Sequence, residues 1–129
     1  MFASATLPAE PTSPGAARLF VRATLADWEL TLFEDIACLL VSELVTNALL
    51  HAASSSELSL GYQGGVLHVA VGDESAQRVR PRAYSRDAGT GRGLMLVAAL
   101  SAQWGSSATA IGKEVWFELD SVSVARGTD

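Results

Sequence analysis

The sequence is poor in cysteine, in positive charge and in long apolar runs, and each shortage argues against a class of protein. Its single cysteine, Cys38, allows no intramolecular disulfide and no cysteine-based zinc site. Its nine Lys and Arg residues are scattered and the net charge is -5, which argues against a nucleic-acid binder because counterion release needs clustered positive charge. Without a membrane-length apolar run or a signal-peptide pattern, we expect a cytoplasmic protein that does not bind membranes.

The composition that is present is typical of a folded globular domain. Hydrophobic residues make up 49% of the chain and charged residues 18%, far from the compositions that remain disordered. A chain of 129 residues can bury a real core but is too short for two sizeable ones. We therefore expect a single domain that spans residues 1–129.

The first half of the chain carries one strand signal and two helical signals. Residues 1–15 predict a strand and a loop, because the apolar stretch 2–7 suits an edge strand and prolines follow it. Apolar residues at helical spacing predict a first helix over 16–27 and a second, longer helix over 31–53.

The second half of the chain carries mainly strand signals. Two β-like segments over 57–63 and 66–73, separated by Gly64-Gly65, predict a hairpin. The later elements are predicted as a polar loop over 74–90, a helix from Gly91 to about Trp104-Gly105, strands over 106–111 and 114–119 joined by a tight turn at Gly112-Lys113, and a flexible tail over 121–129. This order indicates an α+β fold, with a layer of helices on one face of a mostly antiparallel sheet.

The second helix has a face on which polar side chains interrupt an apolar arc. Thr31, followed three residues later by Glu34, is typical of a capping box at the start of this helix. At the helical rotation per residue, Asn47 falls inside the arc, Glu43 lies at its edge and His51 lies one turn beyond. A buried polar group without a partner costs about 2 kcal/mol, so this face predicts either a ligand site or ordinary hydrogen bonds to a neighbouring loop. The apolar arc consists of Phe33, Ile36, Ala37, Leu40, Leu44 and Ala48.

Two further segments have the chemistry of ligand sites. Asp73 ends an alternating strand, where a carboxylate either caps a turn or accepts hydrogen bonds from an exocyclic amine such as that of adenine. A glycine-rich segment leads into the third helix, where backbone N–H groups and the helix dipole either bind phosphate or merely start the helix after a linker. The segment is neither a Walker loop nor a dinucleotide fingerprint. Its residues are Gly89, Thr90, Gly91, Arg92, Gly93 and Leu94.

Three segments, taken in chain order, resemble the N, G1 and G2 boxes of the GHKL superfamily of histidine kinase-like ATPases. They are Glu-Leu-Val-Thr-Asn-Ala-Leu-Leu-His-Ala over 43–52, Val-Gly-Asp-Glu-Ser over 71–75 and Gly-Thr-Gly-Arg-Gly-Leu over 89–94. The Trp-Gly pair at 104–105 and the stretch Gly-Lys-Glu-Val-Trp-Phe over 112–117 resemble the short, stand-alone branch related to actinobacterial anti-sigma-factor serine kinases. The resemblance implies a Bergerat-type ATP-binding fold, a two-layer α/β sandwich with a mostly antiparallel mixed sheet.

The resemblance also implies a role for each matching residue. Glu43 matches a general base, Asn47 matches the residue that holds Mg²⁺ against the nucleotide phosphates, and Asp73 matches the acceptor of the adenine amine. Residues 89–94 match the phosphate-binding end of a mobile lid over 74–90. The cofactors implied by this site are ATP and Mg²⁺.

The function implied by the resemblance is that of a Ser/Thr protein kinase of the anti-sigma type, which phosphorylates a serine of an anti-anti-sigma partner. A sigma factor would be the other client, and a homodimer is the expected assembly. The sequence departs from the G1 pattern because Glu74, Ser75 and Ala76 follow Asp73 where the family has glycines. An alternative function is therefore a non-catalytic, nucleotide-gated module that sequesters a transcription regulator. Lys113 either reaches a phosphate or is a solvated turn residue.

Overall fold

A single antiparallel sheet forms one layer of the fold. The computed structural model describes the backbone of residues 1–74 and 88–127 and the side chains of residues 1–74 and 93–127. Within these residues the strands are β1 (Phe2–Leu7), β2 (Ser56–Gln63), β3 (Val66–Asp73), β4 (Gln103–Ala108) and β5 (Lys113–Leu119). Their order is β1-β2-β3-β5-β4, and every pairing is antiparallel. The predicted α+β fold and the edge strand are confirmed.

The predicted hairpin between the second and third strands is also confirmed. Gly64 and Gly65 connect β2 to β3 with φ angles of 61° and 83°. Two consecutive residues with positive φ match the right-handed twist of the strands, and glycine adopts this conformation without steric cost. The register that follows pairs Leu58 with Val71 and Leu60 with Val69.

Four helices are present in the described residues. They are α1 (Ser13–Asp27), α2 (Glu34–Asn47), α3 (Ala88–Leu100) and α4 (Ser121–Gly127). A 3-10 turn (Thr31–Phe33) precedes α2, and a π-helical turn (Ala48–Ala52) follows it. None of these helices is long and apolar enough to cross a lipid bilayer.

The first helix begins three residues earlier than the predicted start at residue 16. Pro14 lies in its first turn, where the missing N–H group costs no hydrogen bond and the fixed φ suits a helix. The Ser13 hydroxyl donates to the Pro8 carbonyl at 2.5 Å and ties the start of the helix to the preceding loop. Proline therefore marks the beginning of this helix.

The predicted capping box at the start of the second helix is wrong. Thr31 begins the 3-10 turn, and no side-chain hydrogen bond caps either this turn or α2. The Glu34 carboxylate instead lies 3.4 Å from the Arg22 side chain on α1. The predicted extent is close, because the helical path continues from Thr31 to Ala52 and ends at Ala53, which adopts the left-handed conformation with φ of 51°.

The core lies between the helices and one face of the sheet. Side chains along the central strands alternate, and their buried members join the apolar faces of the helices in one cluster. The whole apolar arc predicted for the second helix is buried. The strand residues in the cluster include Leu58, Leu60, Leu67, Val69, Val71, Val115, Phe117 and Leu119.

The helix predicted to end at Trp104-Gly105 is shorter. It ends at Leu100, and the two residues belong to β4, where they pair with Phe117 and Trp116. A Cβ atom on Gly105 would lie 2.8 Å from the indole ring of Trp116, so the strand needs glycine there. The predicted two-residue turn is wrong as well, because four residues, 109–112, connect β4 to β5.

The flexible tail predicted after Asp120 is wrong for residues 121–127, which form α4. The Asp120 carboxylate accepts a hydrogen bond from the Ser123 N–H at 2.8 Å, and the Asp120 N–H donates to the Ser123 hydroxyl at 3.0 Å. This reciprocal arrangement satisfies amides at the helix start. Val124 is buried, so tertiary packing retains a helix that is too short to be stable alone.

Candidate functional site

The second helix carries two of the predicted site residues, Glu43 and Asn47. They lie four residues apart in the C-terminal half of α2, and each is partly buried. This spacing places both side chains on one side of the helix. Leu44 and Ala48 are buried beside them and attach this part of the helical path to the core. The polar pair therefore borders the core, as the sequence pattern predicts.

The third helix brings the glycine-rich segment against that pair. Gly93 is buried, and a Cβ atom on it would lie 2.7 Å from Asn47 Nδ2 and 3.7 Å from Glu43 Cβ. Two segments that are far apart in sequence therefore meet at the surface between α2 and α3. The sequence interpretation assigned both segments to one site, and the structure brings them into contact.

The sequence predicts that the glycine-rich segment is a turn before a helix that starts at Gly91. This prediction is wrong. The helix begins at Ala88, so residues 89–93 form its first turns. The free N–H groups at a helix start are confined to its first four residues, which limits the predicted anion site to the beginning of the segment. Residues 75–87, most of the predicted lid over 74–90, lie outside the described residues.

The end of the third strand holds Asp73. Strand alternation gives its side chain the same orientation as that of buried Val71, towards the helices, and Asp73 is partly buried. The next residue, Glu74, donates its N–H to the Ser54 hydroxyl at 3.0 Å. Ser54 follows the helical path that carries Asn47, so this bond ties the strand end to the same region of the molecule.

Gly112, the last residue of the loop between β4 and β5, contacts Asp73, and Lys113, the first residue of β5, faces it. A Cβ atom on Gly112 would overlap the Asp73 carbonyl oxygen and would lie 2.7 Å from Glu74 Cα. Lys113 pairs in register with Asp73 and is partly buried, so it is a strand residue and not the solvated turn residue that the sequence suggested. Sequence reasoning missed the contact of Gly112, since a glycine that suits a turn gives no sign of which backbone it touches.

A cleft of about 380 Å³ lies beside the same strand end. It includes Asp73, but Glu57 and Glu114 in its lining alternate with buried strand residues, so their side chains point away from the helices. Its carboxylates would repel phosphate groups. This face of the sheet is therefore unfavourable for a ligand that carries phosphate groups.

The helical side of the sheet offers an oxygen donor of the type that Mg²⁺ prefers. Among the residues that the structure describes, no cluster of three or more His, Cys, Asp or Glu side chains could hold a metal ion. Mg²⁺ prefers hard oxygen ligands and usually keeps water and phosphate oxygens, so one amide oxygen from Asn47 fits that pattern. His51, one turn beyond Asn47, lies in the π-helical turn and is partly buried.

The single cysteine takes no part in this site. Cys38 is buried between α1 and α2, and its thiol donates to the Arg18 carbonyl at 3.7 Å. Burial raises the pKa of the Cys38 thiol, which keeps it protonated and unreactive at neutral pH. The Arg18 guanidinium also donates to the Ser42 hydroxyl at 2.7 Å and thereby braces α2 one residue before Glu43.

Comparison with known proteins agrees with the fold. Residues 7–119 match the family of the histidine kinase-like ATPase domain. A similar solved structure is the histidine kinase domain from the Erythrobacter litoralis EL346 blue-light activated histidine kinase, with 28% sequence identity and a TM-score of 0.57. The match covers 76% of this chain and 49% of that chain, so this chain spans about half its length. No curated protein matches this chain.

Proposed function

This chain belongs to the histidine kinase-like ATPase family, and on that basis we propose that it is an ATP-dependent kinase that regulates a partner protein by phosphorylating a serine. The observation that carries the proposal is the contact between α2 and α3, which joins Glu43 and Asn47 to Gly93. A carboxylate one helical turn before an amide is suited to accept a proton next to a bound polyphosphate.

Each residue has a distinct part in nucleotide binding. The Asn47 amide oxygen would hold Mg²⁺, and the backbone N–H groups at the start of α3 would donate to phosphate oxygens. Mg²⁺, when bound, supplies positive charge that offsets the negative charge of the transferring phosphoryl group. Asp73 would accept a hydrogen bond from the adenine amine, which favours adenine over guanine.

The proposed transfer needs one proton acceptor. As the serine oxygen bonds to the γ-phosphorus, the bond from that phosphorus to the β,γ-bridging oxygen breaks and ADP leaves. Glu43 accepts the serine hydroxyl proton, so the atoms and charges balance. Positioning and electrostatics supply most of the rate enhancement in such reactions.

The partner in this proposal is a small protein of the anti-anti-sigma type, with a sigma factor as a second client. The proposal also includes a cytoplasmic homodimer. These finer assignments rest on the resemblance of residues 104–105 and 112–117 to the stand-alone anti-sigma kinases.

The first experiment tests nucleotide binding. Calorimetry with ATP and Mg²⁺ should show binding to the wild-type chain and at least tenfold weaker binding to Asn47→Ala, a loss of about 1.4 kcal/mol. Gln63→Ala is the matched control because it removes an exposed amide at the end of β2. Absence of binding by the wild-type protein would exclude the proposal.

The second experiment tests transfer. With radiolabelled ATP and a candidate anti-anti-sigma protein, the wild-type chain should form phosphoserine and Glu43→Ala should lose most of this activity while still binding ATP. Asp35→Ala removes an exposed carboxylate at the other end of α2 and should keep the activity.

The rival function is a nucleotide-gated binding module without transfer. The observation that favours it is exposed Glu74, which follows Asp73 where the family has glycine. If the partner binds in an ATP-dependent manner, and Glu43→Ala has no effect on that binding or on any phosphoserine signal, the function is that of a binding module and not of a kinase.

A further inference from the structure

Gly93 occupies an unusual position for a glycine. It is the sixth residue of α3, it is buried, and the space that its side chain would fill is taken by the Asn47 amide, 2.7 Å from the Cβ position. Real Cβ atoms essentially never approach a neighbour that closely. Any larger residue would require the amide to rotate or α3 to move away from α2.

The helix itself does not favour glycine at this position. Glycine in a helix interior is less stable than alanine, because its backbone loses more conformational freedom on folding. The N–H group of a sixth helical residue bonds within the helix, so Gly93 is not among the amides available to an anion at the helix start. Neither backbone conformation nor phosphate binding therefore accounts for glycine here.

We propose that Gly93 is a positioning residue for Asn47: the absence of a side chain lets α3 pack against the amide and hold it in the orientation that a Mg²⁺–nucleotide complex requires. The packing part of this inference depends only on the contact between the two residues. The nucleotide part rests on the proposed function.

The inference separates Gly93 from Gly15, a glycine of α1 whose missing side chain leaves room for a Cβ atom. A Cβ atom on Gly15 would meet only the end of the Arg18 side chain, at 3.6 Å, which is ordinary van der Waals contact. Alanine at position 15 should therefore gain the usual helical advantage, and alanine at position 93 should not.

A double-mutant cycle tests the packing without nucleotide. The melting temperature of the full chain is measured for the wild type, Gly93→Ala, Asn47→Ala and the double variant, with Gly15→Ala as the control. Gly93→Ala should lower the melting temperature by about 5 °C when Asn47 is present. In the Asn47→Ala background, Gly93→Ala should leave the melting temperature unchanged or raise it, because the blocking amide is gone. The control Gly15→Ala should leave the melting temperature unchanged or raise it.

The sign of the Gly93→Ala effect decides this part of the inference. A similar loss in both backgrounds would overturn it, because the conflict would then involve another neighbour. An unchanged or raised melting temperature for the single variant would overturn it as well. Since no nucleotide is added, this result does not depend on the proposed function.

The positioning role has its own measurement, the ratio of ATP affinity with Mg²⁺ to ATP affinity with a chelator. Gly93→Ala and Asn47→Ala should each reduce this ratio by about tenfold relative to Gly15→Ala, and the double variant should be no worse than Asn47→Ala. An unchanged ratio in Gly93→Ala would exclude positioning of the amide for Mg²⁺. If the wild-type chain binds no ATP, the proposed function and the nucleotide part of this inference are both excluded. The packing part would remain valid, because the melting temperatures are measured without nucleotide.

Discussion

Two glycines border the candidate site, and they contact it in different ways. Gly93 of α3 packs against a side chain, the Asn47 amide, whereas Gly112 packs against main-chain atoms of Asp73 and Glu74. A side chain can rotate or be removed by substitution, but the backbone of a paired strand cannot move without breaking the sheet. The helical half of the site is therefore adjustable, and the strand half is rigid.

The surroundings of the two contacts agree with this difference. Gly112 is the last residue of the loop before β5, which pairs with β3. Its N–H donates to the Thr109 hydroxyl at 2.9 Å, and its carbonyl accepts from the Thr109 N–H at 2.8 Å. At Gly93, by contrast, the main chain of α3 faces side-chain atoms of Asn47 and Glu43 on α2. We expect substitutions in the strand half to lower the free energy of unfolding more than substitutions in the helical half. We also expect that a second substitution restores less of the lost stability in the strand half.

The largest effect is expected for Gly112→Ala. Its Cβ atom would overlap the Asp73 carbonyl, so the free energy of unfolding should fall by about 3 kcal/mol, measured by urea denaturation. Adding Asp73→Ala should restore none of this loss, because the obstructing atoms belong to the main chain. Gly72→Ala is the control, since its Cβ would meet nothing closer than 3.8 Å. Rescue by Asp73→Ala would contradict the comparison between the two glycines.

An intermediate effect is expected for Asp73→Asn, which keeps an acceptor but removes the charge. ATP affinity should fall about tenfold, equivalent to about 1.4 kcal/mol, because hydrogen bonds to charged acceptors are stronger. The preference for ATP over GTP should fall with it, measured by calorimetry with both nucleotides. Asp27→Asn, an exposed change at the end of α1, should alter neither value. An unchanged preference would remove Asp73 from the adenine site.

A smaller effect is expected for Ser54→Ala. This change removes the acceptor of the Glu74 N–H bond in a solvent-exposed setting, so the free energy of unfolding should fall by only about 0.5 kcal/mol. Amide hydrogen exchange should become faster at Glu74 more than elsewhere, since the strand end loses its tie to the segment after α2. Ser107→Ala, on exposed β4, is the control. Equal exchange in both variants would show that the bond to Ser54 does not hold the strand end.

The smallest effect is expected for Lys113→Met, which keeps the length of the side chain without its charge. Lys113 pairs in register with Asp73, and opposite charges across two strands contribute about 0.3 kcal/mol. The loss of stability should disappear at high salt because salt screens the attraction. Arg22→Met, which removes the charge that faces Glu34, is the matched control on the helical side. A loss that persists at high salt would instead indicate apolar packing by the lysine stem.

The elements that could be predicted from the sequence are those with local causes. The second helix and the first hairpin follow from apolar periodicity and from Gly64-Gly65, which is why both agree with the structure. The boundaries of β4 could not be predicted in this way. Gly105 lies in β4 because it pairs with Trp116 of the neighbouring strand, and this pairing has no signature near Gly105 in the chain.

The last helix shows a different kind of limit. The Asp120 and Ser123 pair is a recognisable helix start, yet seven residues are too few for a stable isolated helix. Packing decides the outcome, because a Cβ atom on Gly127 would lie 2.8 Å from Ile36 of α2. The sequence contains a local signal for the start of α4, but the stability of this helix comes from its packing against the rest of the fold.

The sequence by itself determined the α+β class, the helix that carries Glu43 and Asn47, and the strand that ends at Asp73, because these depend on spacing along the chain. Only the tertiary structure decided that Gly93 meets a side chain and that Gly112 meets a backbone. The physical reason is that each of these positions needs glycine because a neighbouring group occupies the space that a side chain would fill. That group is distant in sequence, so the local sequence does not reveal it.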